Sequence, residues 1–309
     1  MKKISVVTPC FNEEANVEAL YGRVKEIFWK LGAYEYEHIF IDNASTDETQ
    51  AALKKLAAAD RGVKVIINTR NFGHIRSPFY GLIQAGGDAV ILLVADFQDP
   101  PELIIDFLRR WEAGYKVVLG IKTNSGESGL MFALRKFYYN LVDNLSDVRI
   151  NKNNTGFGLY DRSVVAQLRK LDEPYPFFRG LVSELGYEPA RVEYFQPARE
   201  RGLTKNNFYT LYDIGMLGII NHSKVPLRLA IFAGAFLAAI NLAVALGYLV
   251  YKLVYWDSFS VGIAPAVIGL FFFSSVQLIF LGVIGEYIGA IYTQTLKRPL
   301  VIEKERINF

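Results

Sequence analysis

Asp96, Gln98 and Asp99 fall together in the run Ala89–Glu102, which reads AVILLVADFQDPPE. Carboxylate and amide oxygens this closely spaced are the donors that a hard divalent cation takes, along with the phosphate groups it holds. Ala89 to Ala95 is apolar throughout, as in a parallel strand buried on both faces, and Pro100-Pro101 opens a helix. In an open α/β sheet, ligands bind just beyond the carboxyl ends of such strands, which is where these acids fall. The same residues also fit an N-cap before proline with no ligand at all. The stretch by itself leaves both readings open.

The elements that must position these groups are legible in the patterning. Strands are expected at Lys3–Pro9, His38–Asp42, Val63–Asn68, Ala89–Ala95 and Val117–Ile121. Helices are expected over Asn12–Leu31, from the turn after Asp47 through Ala59, over Ile75–Ala85, and from Pro101 to about Ala113. This alternation predicts an α/β fold, a largely parallel sheet with helices on both faces. Past Ile121 the pattern loosens. Lys122–Gly129 reads as a polar loop of the kind that closes over a ligand, Leu130–Leu145 as helix, Ile150–Asp161 as a loop into a short strand, and Ala190–Tyr194 as a strand.

A chain of 309 residues holds more than one such domain. Leu229–Tyr251 and Ser258–Gly285 carry no charge, and each is long enough for a membrane span of about 20 residues. Lys252–Asp257 between them allows only a tight hairpin. Lys224 and Arg228 precede the pair, and Lys297, Arg298, Lys304 and Arg306 follow it. By the positive-inside rule both termini and the N-terminal domain face the cytoplasm, in the cytoplasmic membrane. Phe208–Ile220 fits a helix lying in the membrane interface, with a packed core helix as the alternative. The expected division is a catalytic-type domain over 1–206, an interfacial linker over 207–225, a two-helix hairpin over 226–296 and a tail over 297–309. Met1-Lys2-Lys3 leads directly into a strand too short for a signal core. The single cysteine, Cys10, excludes an internal disulfide, and a net charge of +3 without a basic tract gives no reason to expect nucleic acid.

The strand ends carry a series of polar motifs. Thr8-Pro9-Cys10-Phe11-Asn12-Glu13-Glu14 ends the first, Ile41-Asp42-Asn43-Ala44-Ser45-Thr46-Asp47 the second, Arg70-Asn71-Phe72-Gly73 the third and Ala95-Asp96-Phe97-Gln98-Asp99-Pro100-Pro101 the fourth. Together they resemble the nucleotide-sugar half of inverting family-2 glycosyltransferases of the GT-A fold. Arg199-Glu200-Arg201-Gly202-Leu203-Thr204-Lys205 resembles the R-x-x-G-x-(S/T)-K segment of their polyprenyl-phosphate branch. Gly285-Glu286-Tyr287-Ile288-Gly289 with Ile291-Tyr292 is similar to the end of the second membrane helix in bactoprenol glucosyltransferases, relatives of dolichol-phosphate mannose synthase. The resemblance runs from Ile4 to about Pro299.

It implies roles position by position. Pro9 and Glu13 match nucleoside contacts, and Asp42 matches the acid that takes a hydrogen bond from the uracil or ribose edge. Asp96 and Gln98 match contacts to a Mg²⁺ or Mn²⁺ ion and the diphosphate. Arg199, Thr204 and Lys205 match a segment closing over diphosphate or acceptor phosphate, with Asp96, Arg199 and Lys205 as the catalytic set. Plainer readings stand beside these: a strand end at Pro9, a helix-dipole partner at Glu13, turn chemistry at Asp42, and a solvated loop at Arg199–Lys205. Two positions depart from the family. Val94 stands where the acidic motif has its first Asp, and Gly156 stands where many relatives carry an acid. Asp161, nearby, falls in a strand-like segment and reads as structural. The chemistry tolerates these losses, because a phosphate monoester with a second pKa of about 6 is already an anionic nucleophile at neutral pH and needs no base.

The implied activity is inverting transfer of a hexose, with UDP-glucose as the favoured donor, to polyprenyl phosphate at the membrane. Homo-oligomerisation follows from the resemblance, and Gly234, Ala235, Ala238 and Ala239 offer a close helix contact. Two rivals remain. Arg109-Arg110-Trp111 superficially matches the Q-x-x-R-W motif of processive polysaccharide synthases, although position 107 is Phe. A non-catalytic, membrane-anchored nucleotide-sugar-binding protein would account for Val94 and Gly156.

Overall fold

The structure, a computed structural model, describes residues 1–124, 154–196, 216, 223, 225–255 and 263–309. Five strands come first: β1 (Lys2–Cys10), β2 (Tyr34–Asp42), β3 (Val63–Asn68), β4 (Ala89–Leu92) and β5 (Val117–Asn124). They are separated by α1 (Val17–Leu31), α2 (Thr49–Ala59), α3 (Gly73–Gln84) and α4 (Ile104–Glu112), the last entered through a 3₁₀ turn at Pro101–Leu103. Then follow β6 (Asn154–Asp161), α5 (Arg162–Lys170), α6 (Phe178–Glu184) and β7 (Pro189–Phe195). Two long helices, α7 (Val225–Val254) and α8 (Ile263–Thr295), precede a last strand, β8 (Glu303–Ile307).

The described strands form one eight-stranded sheet in the order β7-β5-β6-β4-β1-β2-β3-β8. β1 pairs in parallel with β2 and β4, and β2 with β3, while β6 and β8 run antiparallel to their neighbours. Central strands must bury both faces, and they do: Ile4, Val6, Phe40, Val65 and Ile91 point into one core layer, and Val7, Ile39, Ile41, Ile66 and Val90 into the other. α1, α2 and α4 cover the first layer and α3, α5 and α6 the second, as expected for helices on both faces.

Three sequence expectations are revised. The fourth strand stops at Leu92 rather than Ala95: Leu93 N–H still donates to Val7 O at 2.9 Å, but the chain then turns through Phe97, a non-glycine residue at φ 58°. The loop expected before Asp161 is instead strand from Asn154 onward, pairing with β4 and β5. The segment after the spans is not a plain tail, because Glu303–Ile307 returns to the sheet and pairs with β3. Thr69 N–H to Ile302 O at 2.9 Å, and Asn308 Nδ2 donating to Ala57 O and Val63 O at 2.7 and 2.9 Å, lock it there.

α7 and α8 are long and apolar enough to cross a membrane, and none of their most apolar windows is buried. Phe232, Phe236, Leu278 and Leu281 stand exposed, as on helices that face outward rather than pack in a protein core. Gly234 lies against Phe280 of the second helix. The hairpin is thus bracketed by β7 and β8, two strands of one sheet. Phe208–Ile220, expected at the interface, lies outside the described residues apart from Met216.

One buried titratable group sets an acid limit on this fold. His38, on β2, is fully buried, stacks on Phe40 at 3.9 Å and shares a 2.9 Å hydrogen bond with Thr8 Oγ1. Burial pushes its pKa down to about 3. The unfolded chain therefore takes up this proton first. The stability contributed by neutral His38 is complete above about pH 6.5 and is lost at about 1.4 kcal/mol per pH unit as pH falls toward 3. Glu37 acts lower: burial opposes its ionisation, but hydrogen bonds from Lys3, Ser5 and Lys64 hold it at about 2, so its contribution is lost only below about pH 4.5. Thermal melts of the full chain in detergent should show wild type losing stability relative to His38→Gln between pH 6.5 and 4.5. Parallel pH profiles for the two proteins would contradict the assignment.

Candidate active site

The loops at the carboxyl ends of β1, β2 and β4 each hold a non-glycine residue in the left-handed region: Asn12 at φ 58°, Ala44 at φ 62° and Phe97 at φ 58°. Such conformations cost about 1–3 kcal/mol each and persist only where surrounding contacts enforce them, a pattern typical of ligand sites. The enforcing contacts are visible. Asn12 N–H donates to Ser45 Oγ at 2.9 Å and Asn12 Oδ1 accepts from Thr46 N–H at 2.8 Å, joining the first two loops. Asn43 extends the seam to the third loop, accepting from Phe72 N–H at 2.9 Å and from Asn68 Nδ2 at 3.1 Å, and donating to Asn71 Oδ1 at 2.8 Å. The loops after β1, β2 and β3 are thereby tied into one polar rim, beside the turn that follows β4.

The predicted residues take distinct places on it. Asp96 sits at the end of the β4 segment with 8 % of its surface exposed, and its Oδ1 accepts from Gln98 N–H at 3.2 Å across the Phe97 turn. Glu13 is half-buried, its Oε2 accepting from Asn16 Nδ2 at 2.6 Å. Pro9 faces a cavity shared with Val94 and Thr155. Asp42 has no exposed surface, and its Oδ2 accepts from Ser45 N–H at 3.1 Å and Gln50 Nε2 at 2.9 Å. Burial raises its pKa, only partly offset by those hydrogen bonds. In this conformation Asp42 shapes the second loop through these bonds. Arg199, Thr204 and Lys205 lie outside the described residues.

Asp99, three residues beyond Asp96, is buried and takes a 2.5 Å hydrogen bond from Tyr194 Oη on β7. Burial, with the Asp96 charge beside it, pushes its pKa up to about 6 against the pull of Tyr194 and Lys122. It pins β7 to the acidic turn. Among the described residues no group of three His, Cys, Asp or Glu side chains could hold a metal by itself. Asp96 and the Gln98 amide are the candidate donors that this turn brings together. Such a set fits a Mg²⁺-like ion that keeps most of its ligands from substrate phosphates.

Asp161 lies elsewhere. It pairs with Ala89 at the amino end of β4, caps α5 through Ser163 N–H at 2.9 Å, and accepts from Trp111 Nε1 at 2.8 Å. Asp161 is structural, as its sequence context indicated. Trp111 is occupied at the end of the sheet opposite the site, which removes the processive-synthase reading of Arg109-Arg110-Trp111. Gly156 holds φ 97°, a conformation L side chains rarely adopt, so the acid found there in relatives would be strained here. The sequence reading passed over His74 and Arg179, which line the same cavity as Pro9 and Val94. No motif marks them, since α3 and α6 bring them together from distant parts of the chain.

Residues 5–169 match the family described as glycosyl transferase family 2. The chain is 36% identical over 304 residues to the SfII prophage-derived bactoprenol glucosyl transferase of Shigella flexneri, covering 98% of each protein. It is 36% identical over 299 residues to the uncharacterized glycosyltransferase YkcC of Bacillus subtilis (strain 168), covering 96% of this chain and 92% of that one. Among solved structures it is similar to glucosyl-3-phosphoglycerate synthase from Mycobacterium tuberculosis, in a complex with Mn²⁺, UDP and phosphoglyceric acid. That likeness has a TM-score of 0.47 and 20% identity, over 71% of this chain and 76% of the other.

Proposed function

The chain belongs to glycosyl transferase family 2, and on that premise we propose that it transfers glucose from UDP-glucose to polyprenyl phosphate at the cytoplasmic face of the membrane. The observation that carries this reading is the colinear match, across nearly the whole chain, to bactoprenol glucosyl transferases. Its enzymatic class, a glycosyltransferase of the GT-A type, follows from the same match and the mixed, mostly parallel sheet.

In the proposed reaction a phosphate oxygen of the lipid attacks the anomeric carbon while the bond to the UDP oxygen breaks on the opposite face. One in-line displacement inverts the anomeric centre and releases UDP. The nucleophile arrives ionised, so the side chains have electrostatic work rather than proton transfer to do. Asp96 and Gln98 would hold a Mg²⁺ or Mn²⁺ ion, which supplies counter-charge for the leaving diphosphate. The Asn12, Ala44 and Phe97 turns fix the rim on which the donor lies. Arg199, Thr204 and Lys205, which lie in sequence between the domain and the first apolar helix, would meet the acceptor's phosphate. The return of β8 to the sheet supports a hairpin that leaves and re-enters on the domain's side, and the basic flanks favour the cytoplasmic face. A homo-oligomer belongs to the same reading.

A donor screen tests it. The full chain in vesicles containing polyprenyl phosphate is given radiolabelled UDP- and GDP-sugars in turn. Label should enter the lipid phase from UDP-glucose, and only when the lipid phosphate is present. Failure of every sugar to label lipid would overturn the reading and favour a binding protein.

A further inference from the structure

Beside the acidic turn lies a cavity of about 190 Å³. Its floor is Pro9 of β1, Leu92 at the end of β4 and Val94 just beyond it, and its walls come from α3 and the start of α6, Phe79 and Phe178 among them. It is small beside the roughly 300–1,000 Å³ of sites that enclose a whole drug-sized ligand, so it suits one part of a substrate. The lining is mostly apolar, with two cationic or titratable groups, His74 and Arg179, and without a carboxylate among the described residues. Arg179 donates to Asn154 O at 3.0 Å, its guanidinium lies 5.4 Å from the Phe177 ring centre, and it makes no ion pair among the described residues. Burial and the nearby Arg179 charge both hold the His74 imidazole below its ordinary pKa, which puts the two groups within electrostatic reach of each other.

A hexose is a poor occupant. Most of its hydroxyls would face Leu92, Val94, Phe79 and Phe178, and each unpaired polar group costs about 1–3 kcal/mol. An occupant with an apolar body and one anionic end matches both the walls and the uncompensated cation. The two places where acids are absent, Val94 and Gly156, border this space: Val94 lines it, and a side chain at 156 would meet Phe178 and Leu92 at 3.6 and 3.7 Å.

We propose that this cavity receives the phosphate end and first isoprene units of the lipid acceptor, with Arg179 as a further cation on the phosphate beside those proposed at Arg199 and Lys205. The assignment rests on the polyprenyl-phosphate reading above. It adds that the lipid's head end leaves the bilayer and enters the domain between α3 and α6, so that recognition extends beyond the phosphate to the prenyl group.

The test uses the full chain in vesicles with UDP-glucose and polyprenyl phosphate, adding inorganic phosphate or geranyl phosphate as competitor. Arg179→Ala should raise the acceptor KM by roughly 10- to 100-fold, the weight of one charge-assisted hydrogen bond, with the UDP-glucose KM little changed. Arg179→Lys should recover part of the loss. Geranyl phosphate should compete with the lipid far better than inorganic phosphate does. Ile75→Trp, which fills the cavity from α3, should abolish that advantage without disturbing Arg179. A rise in the UDP-glucose KM instead would make this the hexose pocket and overturn the proposal. So would an unchanged acceptor KM in both variants, or equal competition by the two phosphates. A wild type that never labels lipid defeats the functional reading itself, whereas a working wild type with unaffected variants defeats only this assignment.

Discussion

Asp96→Asn is expected to lower glucosyl transfer by roughly 100- to 1,000-fold, the cost of removing one pre-placed electrostatic group from a transition state. The amide keeps the shape of the carboxylate and can still accept from Gln98 N–H, which lies 3.2 Å from Oδ1 in the native turn. What it loses is the negative charge that offsets a divalent ion. Asp96 is the sole carboxylate we assign to that ion, because Asp99 is committed to Tyr194 and Val94 occupies the position where relatives have an acid. The Gln98 amide brings no charge to replace it, so the loss should be deep and only weakly relieved by excess metal. The fold should survive, since Asp96 caps a turn at the surface of the core. Melting temperature and metal-dependent turnover, measured on the same preparation, check both halves. Near-normal turnover at saturating Mg²⁺ would remove Asp96 from the metal site.

Arg199→Ala or Lys205→Ala should each weaken transfer to lipid phosphate by roughly 2–4 kcal/mol of transition-state stabilisation. Two anions must meet in this reaction, and cations near their junction offset a repulsion that grows as the site dries. The segment lies in the chain between the nucleotide domain and the stretch beginning near Phe208. Arg199→Lys should be intermediate, because it keeps the charge but not the two-pronged fork. Donor binding without acceptor should change less than turnover. Wild-type rates for both Ala variants in a bilayer would return Arg199–Lys205 to an ordinary solvated loop.

Local patterns made much of the fold readable. The apolar run at Ala89–Ala95 and the uncharged stretches ending at Tyr251 and Gly285 announce a buried strand and two long apolar helices because hydration cost acts on each residue in place. β8 was invisible for the opposite reason. Its sequence, EKERI, is that of a charged edge strand, and its pairing with β3 is a contact across most of the chain. At Asp42 the spacing to Ser45 announced turn chemistry, whereas the full burial of the carboxylate is a product of packing that no local pattern carries. Asn43 could have been flagged, since Asn43, Asn68 and Asn71 fall at neighbouring strand ends where buried amides can bond to one another. His74 and Arg179 carried no such signal.

The central claim is a single hexose joined directly to a lipid phosphate, and the isolated product measures it. Purified full chain in polyprenyl-phosphate vesicles, given UDP-glucose and Mg²⁺, should yield a lipid whose mass is that of polyprenyl phosphate plus one hexose residue. Its anomeric configuration should be opposite to that in the donor. A product carrying a chain of hexoses, a retained anomer, or free glucose with unmodified lipid would contradict the account.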